Sequence, residues 1–151
     1  MSLEQEFELI RRVPIFSTTD PSMQKLLAFS SDRLTYEAGQ LMFSAGDAPD
    51  SAYIVMEGEV DITVPTPKVQ LRVNTLVLND VIGEIGIFGD VPRTATATAR
   101  TKVDVLRISR DVFVNVIRSN PDAAIALVRI LADRLAKTTA QLRRMAAETS
   151  K

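Results

Sequence analysis

The sequence predicts an α+β fold, an antiparallel β-roll of the double-stranded β-helix or jelly-roll type with short N-terminal helices and two C-terminal helices, the last one long. Three observations carry this prediction. Helical patterns occupy residues 1–31, short strand-like runs broken by turns occupy residues 32–108, and helical patterns return over residues 109–151. A chain of 151 residues is long enough for one domain with a substantial core, so we expect residues 1–151 to form a single domain.

Two short helices are predicted before the strands. Ser2 has the spacing of a capping box ahead of an amphipathic helix over residues 3–12. Asp20 and Pro21 form an N-cap and N1 pair, which predicts a second helix that ends near Ser30.

The middle of the chain has the pattern of a compact antiparallel roll. Its apolar runs are short and are separated by turn residues, including Asn79, which tolerates a left-handed backbone. Ala95, Ala97 and Ala99 alternate with threonines, which predicts a crowded inward face of small side chains. The run between Pro65 and Asn79 is weakly patterned, so its pairing stays open.

Two helices are predicted at the C-terminal end. Helical spacing begins after Ser109, and Asn120 with Pro121 gives an N-cap and N1 pair for a final helix of roughly 25 residues. Apolar positions recur every seven residues along this helix, which indicates an a/d seam. We expect a homodimer through the seam, whereas packing of the seam on the roll is the alternative. The seam comprises Val128, Leu131, Leu135, Thr138, Leu142 and Met145.

Composition excludes several functions. The net charge of -1 gives no broad basic field, and a DNA-reading helix-turn-helix would have to follow Lys151, so we expect no direct DNA binding. The chain has no histidine and no cysteine, which removes the usual general base, thiolate nucleophile and metal ligands. We therefore expect no enzyme activity, no catalytic residue, no metal and no cofactor. The sequence shows no signal peptide or membrane span, so we expect a cytoplasmic protein without membrane contact.

The segment over residues 81–97 holds the candidate ligand site. An ionised Glu84 only accepts hydrogen bonds, which suits sugar hydroxyls, whereas Arg93 offers a planar fork of donors that matches phosphate oxygens. An exposed ion pair between these two residues is the alternative interpretation. The segment's glycines permit close backbone approach, and the run between them predicts a short helical turn. These glycines are Gly83, Gly86 and Gly89.

Two longer stretches carry a resemblance to a known family. AGQLMFSAGDAPDSAYIVMEGEVDI and VIGEIGIFGDVPRTATA occur in that order. They resemble the early roll and the phosphate-binding cassette of cyclic nucleotide-binding domains of the catabolite activator and protein kinase regulatory-subunit type. The resemblance implies a β-roll that binds cyclic nucleotide, with the cassette over residues 81–97.

The resemblance also implies the contacts to the ligand. Glu84 would accept a hydrogen bond from the ribose 2′-hydroxyl, and Arg93 would hold the cyclic phosphate. The ligand would be a cyclic purine nucleotide, cAMP in preference to cGMP, although Thr94 does not decide the base.

The rest of the implied site lies beside these two residues. Gly83 and Ile85 would contribute close backbone, while Thr94 and the Ala95 amide would complete the phosphate shell.

Some relatives stack an aromatic side chain of the final helix or beyond on the base, but no aromatic residue follows Phe113, so the base contact must come from elsewhere. By position, Leu131 and Arg134 of the final helix are the lid candidates, since an arginine can stack on a ring.

The resemblance implies a regulatory sensor that signals to an unknown effector protein by movement of its C-terminal helices. The alternative is a structural or protein-interaction domain of the same fold that binds no nucleotide.

Overall fold

The computed structural model of the protein describes residues 2–149. The predicted N-terminal segment begins at Met1 and the predicted C-terminal segment ends at Lys151. These two residues and Ser150 lie outside the described residues. No helix within residues 2–149 is long and apolar enough to cross a membrane.

Two short helices precede the strands, as the sequence predicts. Helix α1 spans Leu3–Arg12, and its capping box is formed because the Ser2 hydroxyl accepts from the Gln5 amide at 3.2 Å. Helix α2 spans Pro21–Ser30. Asp20 is the N-cap of α2 and Pro21 is its first residue, as predicted, although the Asp20 side chain makes no capping hydrogen bond.

The strands of the described residues are β1 Asp32–Tyr36, β2 Leu41–Phe43, β3 Ser51–Glu57, β4 Val60–Pro65, β5 Gln70–Leu76, β6 Val81–Ile82, β7 Thr96–Ala99 and β8 Val103–Ser109. They form two four-stranded antiparallel sheets, ordered β1-β8-β3-β6 and β2-β7-β4-β5. A short helix, α3, spans Glu84–Gly89 between β6 and β7 and is the helical turn predicted within the glycine-rich segment.

The inward face of the second sheet is built from small side chains. Ala97 and Ala99 on β7 are buried opposite Ile62 and Val60 of β4, and the intervening threonines are only half-buried. The predicted alternation is therefore confirmed for Ala97 and Ala99, whereas Ala95 precedes β7 and is only half-buried. The weakly patterned run before Asn79 is resolved too, because β5 pairs antiparallel with β4.

Two helices complete the chain. Helix α4 spans Arg110–Ser119 and is capped by the Ser109 hydroxyl, while α5 spans Pro121–Thr149 and is 29 residues long. Phe113 on α4 packs edge-to-face on Phe16 at 6.2 Å, in a core between the helices and the first sheet. A second core lies between the strands inside the roll.

The predicted seam of α5 is divided between two surfaces. Leu131 packs against the helical core and Thr138 lines a cavity, whereas Val128, Leu135 and Leu142 are 64%, 68% and 53% exposed. The prediction of one continuous seam is wrong, because heptad positions a and d lie on neighbouring stripes of a helix and the roll covers only one of them.

Candidate functional site

A cavity of about 150 Å³ lies between the roll, α3 and α5. Seven of the eight predicted site residues line it, and Leu131 does not. The predicted residues at the cavity are Gly83, Glu84, Ile85, Arg93, Thr94, Ala95 and Arg134.

Gly83 connects strand β6 to helix α3 in a left-handed conformation, with φ of 94°. A Cβ atom on this residue would lie 2.3 Å from Nη1 of Arg93, so both backbone conformation and space require glycine. Gly86 and Gly89 belong to α3 and have no positive φ. Only the first of the three predicted glycines therefore uses its freedom to adopt a left-handed backbone.

Arg93 is 4% exposed and is held on several sides. Its Nη1 donates to the Gly83 carbonyl at 2.9 Å, and its Nη2 donates to the Ser51 carbonyl at 2.6 Å. The Asp50 carboxylate lies 3.6 Å from Nη2, and the guanidinium stands 4.3 Å above the centre of the Phe43 ring. Burial lowers the pKa of Arg93 from its ordinary value, and nearby acidic groups oppose the shift.

One donor of Arg93 remains open. The Nε atom is buried and has no hydrogen-bond partner among residues 2–149. A buried cationic donor without a partner is costly, so this atom points to an acceptor that the folded chain itself does not supply.

Glu84 is 2% exposed and is paired with the terminal helix. Arg134 donates from Nη1 to its Oε1 at 2.5 Å and from Nη2 to the Val81 carbonyl at 2.7 Å. Burial raises the pKa of Glu84 above its ordinary value, and the positive charge of Arg134 opposes that rise. The alternative of an exposed ion pair between Glu84 and Arg93 is wrong, because both residues are buried and Glu84 is bonded to Arg134.

The remaining predicted residues lie at the edge of the cavity. All three line the cavity, but Thr94 and the side chain of Ile85 are exposed, whereas Ala95 is half-buried. Leu131 packs against the helical core instead of closing the cavity. Of the two lid candidates, only Arg134 reaches the site.

Three of the lining residues that sequence reasoning missed have an aromatic or polar side chain. Phe43 comes from β2, Asn74 from β5, and Thr138 from the α5 stripe that was assigned to the seam. Asn74 was missed because the sequence left the pairing of its strand open. For Thr138, its position one helical turn beyond Arg134 was the available signal.

A sequence model of the family described as cyclic nucleotide-binding domain matches residues 33–120. The chain is 31% identical to the CRP-like cAMP-activated global transcriptional regulator of Mycobacterium tuberculosis, over 89% of this chain and 61% of the regulator. It is 32% identical to a cAMP-dependent protein kinase regulatory subunit of Yarrowia lipolytica, over 69% of this chain and 27% of the subunit.

A solved structure shares the fold. The regulatory domain of Toxoplasma gondii protein kinase A, crystallised with cAMP, matches with a TM-score of 0.78 and 19% identity over 87% of this chain and 50% of that one. This likeness confirms the predicted β-roll with flanking helices. The chain spans about three fifths of the mycobacterial regulator and about a quarter of the kinase subunit. One relative is a transcriptional regulator, which gives no support to the expectation that DNA is not a partner.

Proposed function

Because the chain belongs to the cyclic nucleotide-binding domain family, we propose that it binds a cyclic purine nucleotide, cAMP in preference to cGMP, in the cavity between α3 and α5. The observation that carries the proposal is the unpaired Nε of Arg93, a buried cationic donor beside a cavity. A cyclic phosphate supplies the acceptor that this donor lacks. The domain, taken as residues 1–151, is regulatory and not catalytic.

Each predicted residue has a role in the proposed complex. Arg93 holds the phosphate through Nε, while its other donors stay on the carbonyls of Gly83 and Ser51. Thr94 and the Ala95 amide complete the phosphate shell.

The ribose meets the other side of the cavity. Glu84 accepts from the ribose 2′-hydroxyl, and Gly83 and Ile85 provide close backbone because α3 starts directly after the left-handed glycine.

Helix α5 must move when the ligand enters. The cavity of about 150 Å³ is smaller than the roughly 300 Å³ at the lower end of small-molecule sites, and α5 forms one of its walls through Arg134 and Thr138. Arg134 also occupies Oε1 of Glu84, the carboxylate proposed to accept from ribose. Nucleotide therefore competes with Arg134 for Glu84. Release of Arg134 from Glu84 then transmits binding to α5.

The displaced Arg134 is then available to cover the base, as the lid proposed from the sequence. Thr138 lies on the same face of α5, one turn further along the helix, and lines the cavity. Its hydroxyl is a donor and an acceptor, so it suits the polar edge of a purine.

The exposed half of the α5 seam provides a surface for a second copy of the chain. Val128, Leu135 and Leu142 form an apolar stripe along the helix, continued toward its start by the half-exposed Ile125. We propose that this stripe mediates a homodimer, and that movement of α5 alters the dimer or a separate effector.

Thermal unfolding with and without cAMP or cGMP tests the proposal. Nucleotide at a hundred times its dissociation constant should stabilise the folded chain by about 2.7 kcal/mol, and Arg93→Leu should abolish the effect. Arg93→Lys serves as the matched variant, because it keeps the charge and loses the fork. If neither nucleotide shifts the transition of a well-folded sample, the chain is the non-binding interaction domain instead.

A further inference from the structure

We infer that Phe43 is a positioning residue for Arg93, and that its ring holds the guanidinium in the orientation that leaves Nε free for a ligand. The inference rests on the proposed function, since it concerns the residue that would hold the phosphate. The guanidinium carbon lies 4.3 Å from the ring centre, inside the range of roughly 6 Å for a cation–π contact. Both side chains are buried, at 9% and 4% exposed.

The ring supplies what the hydrogen bonds of Arg93 do not. The carbonyls of Gly83 and Ser51 satisfy donors at the edge of the guanidinium plane. The nearest carboxylate, from Asp50, is 3.6 Å away and largely exposed, so water weakens its attraction. The face of the guanidinium plane attracts groups of negative potential. The face of an aromatic ring is such a group, and the attraction is stronger where water is excluded.

Phe43 is itself fixed in orientation. Its ring stacks on Tyr53 at 5.9 Å with an interplanar angle of 27°. Strand β2 pairs with β7 through a register shift between Leu41 and Phe43, and burial increases along the strand until Phe43 lies inside. A ring held by a neighbour and by the backbone acts as a rigid platform.

Removal of the ring should therefore free the guanidinium to rotate. Nucleotide binding would then have to order Arg93, and the free-energy cost of that ordering would weaken the binding. We expect Phe43→Leu to raise the dissociation constant for cyclic nucleotide about tenfold. Phe43→Tyr keeps the ring and should restore affinity to within about twofold of the parent.

Phe16→Leu is the matched control. Phe16 is fully buried in the helical core against Phe113 and does not line the cavity, so this variant loses the same ring at a comparable cost in stability. If Phe43 acts only through general stability, the two leucine variants should weaken nucleotide binding equally. If it positions Arg93, only Phe43→Leu should do so.

A second readout needs no nucleotide. In the ligand-free protein, the Arg93 Hε resonance, assigned by its loss in Arg93→Lys, should be shifted upfield by the ring and exchange slowly with water. Loss of the ring removes the shift by itself, so the rate of exchange is the deciding measurement. We expect Phe43→Leu to speed exchange of Hε with water because the guanidinium is freed to rotate, and Phe43→Tyr and Phe16→Leu to keep it slow.

An exchange rate of Arg93 Hε that Phe43→Leu leaves unchanged would overturn the inference, as would equal loss of affinity in Phe43→Leu and Phe16→Leu. If the resonance behaves as expected and no cyclic nucleotide binds the parent chain, the proposed function fails and the positioning of Arg93 by Phe43 stands.

Discussion

Arg134 of α5 donates a 2.5 Å hydrogen bond to Glu84 of α3, a residue 50 positions away in the chain. The carboxylate is 2% exposed, and Arg134 makes a second bond to the Val81 carbonyl. One side chain therefore ties α5 to both β6 and α3. The same bond engages the carboxylate proposed to read the ribose, so we expect the Arg134–Glu84 bond to compete with entry of a ligand.

Loss of Arg134 should destabilise the ligand-free protein. Arg134→Met leaves a buried carboxylate without its cation, which costs about 3 kcal/mol at neutral pH. The pKa of Glu84 should rise further, because the charge that opposes the effect of burial is gone. Carbon NMR titration of Glu84 and denaturant unfolding measure the two effects.

Lys137→Met is the control for this variant. Lys137 lies on the same helix and is paired with Asp133, but its side chain is 75% exposed. We expect a change within about 0.5 kcal/mol. Equal destabilisation by the two substitutions would contradict the role assigned to the Arg134–Glu84 bond.

The stability of the protein should carry a pH dependence from Glu84. Burial raises the pKa of Glu84 above its ordinary value of 4.5, so the folded state binds this proton more tightly than the unfolded state. The stabilisation is complete below the ordinary value and is lost as pH rises through the folded pKa. Relative to Glu84→Gln, the melting temperature of the parent chain should fall as pH rises above about 4.5.

Melting curves of both proteins across that range provide the measurement, because the glutamine variant removes one titrating group and keeps its volume. If the melting temperature of the parent chain instead rises relative to that of Glu84→Gln as pH increases, the charge of Arg134 outweighs the effect of burial on Glu84.

The left-handed turn before α3 should tolerate no side chain. Gly83→Ala places a methyl group 2.3 Å from Nη1 of Arg93 and 3.1 Å from the Ser51 carbonyl, at a φ of 94°. We expect a loss of about 1–3 kcal/mol in unfolding free energy, together with weaker nucleotide binding as Arg93 is displaced.

Gly89→Ala is the matched glycine substitution in the same segment. Its new methyl group meets only the partly exposed Val91 side chain, at 3.3 Å, and its backbone is not left-handed. Chemical denaturation should show a smaller effect than for Gly83→Ala. A larger loss in the control would contradict the packing described here.

The apolar stripe of α5 should govern oligomeric state. Leu135→Glu and Leu142→Glu place charges on the exposed stripe, so they should convert a dimer into a monomer in light scattering. Arg144→Glu changes the charge of an exposed residue on the opposite side of the helix from Leu135, and it should leave the mass unchanged. A monomeric parent chain, or a dimer that survives both stripe substitutions, would rule out this surface.

The relation between sequence and structure differs along the chain. Elements with local signals were predicted closely: the Ser2 capping box opens α1, Pro21 opens α2, and the small-residue alternation lies in β7. Capping, turn geometry and side-chain period act between residues close in sequence, so they can be recognised without knowledge of the fold.

The candidate site was only partly predictable for the same reason. Gly83, Glu84 and Arg93 stand together in one segment, and the structure brings them to one cavity with Thr94 and Ala95. Asn74, Thr138 and Phe43 join that cavity from elements distant in sequence, and no local pattern indicates which face of β5 or α5 will turn toward it.

The sequence by itself determined the order of helices and strands, the candidate segment over residues 81–97 and the resemblance to its family, because these depend on local periodicity and motif spacing. Only the tertiary structure decided that Glu84 pairs with Arg134, that Phe43 lies beneath Arg93, and that half of the α5 seam faces the roll. These contacts depend on where α5 and β2 pack, and the angle and register of packing follow from the whole core.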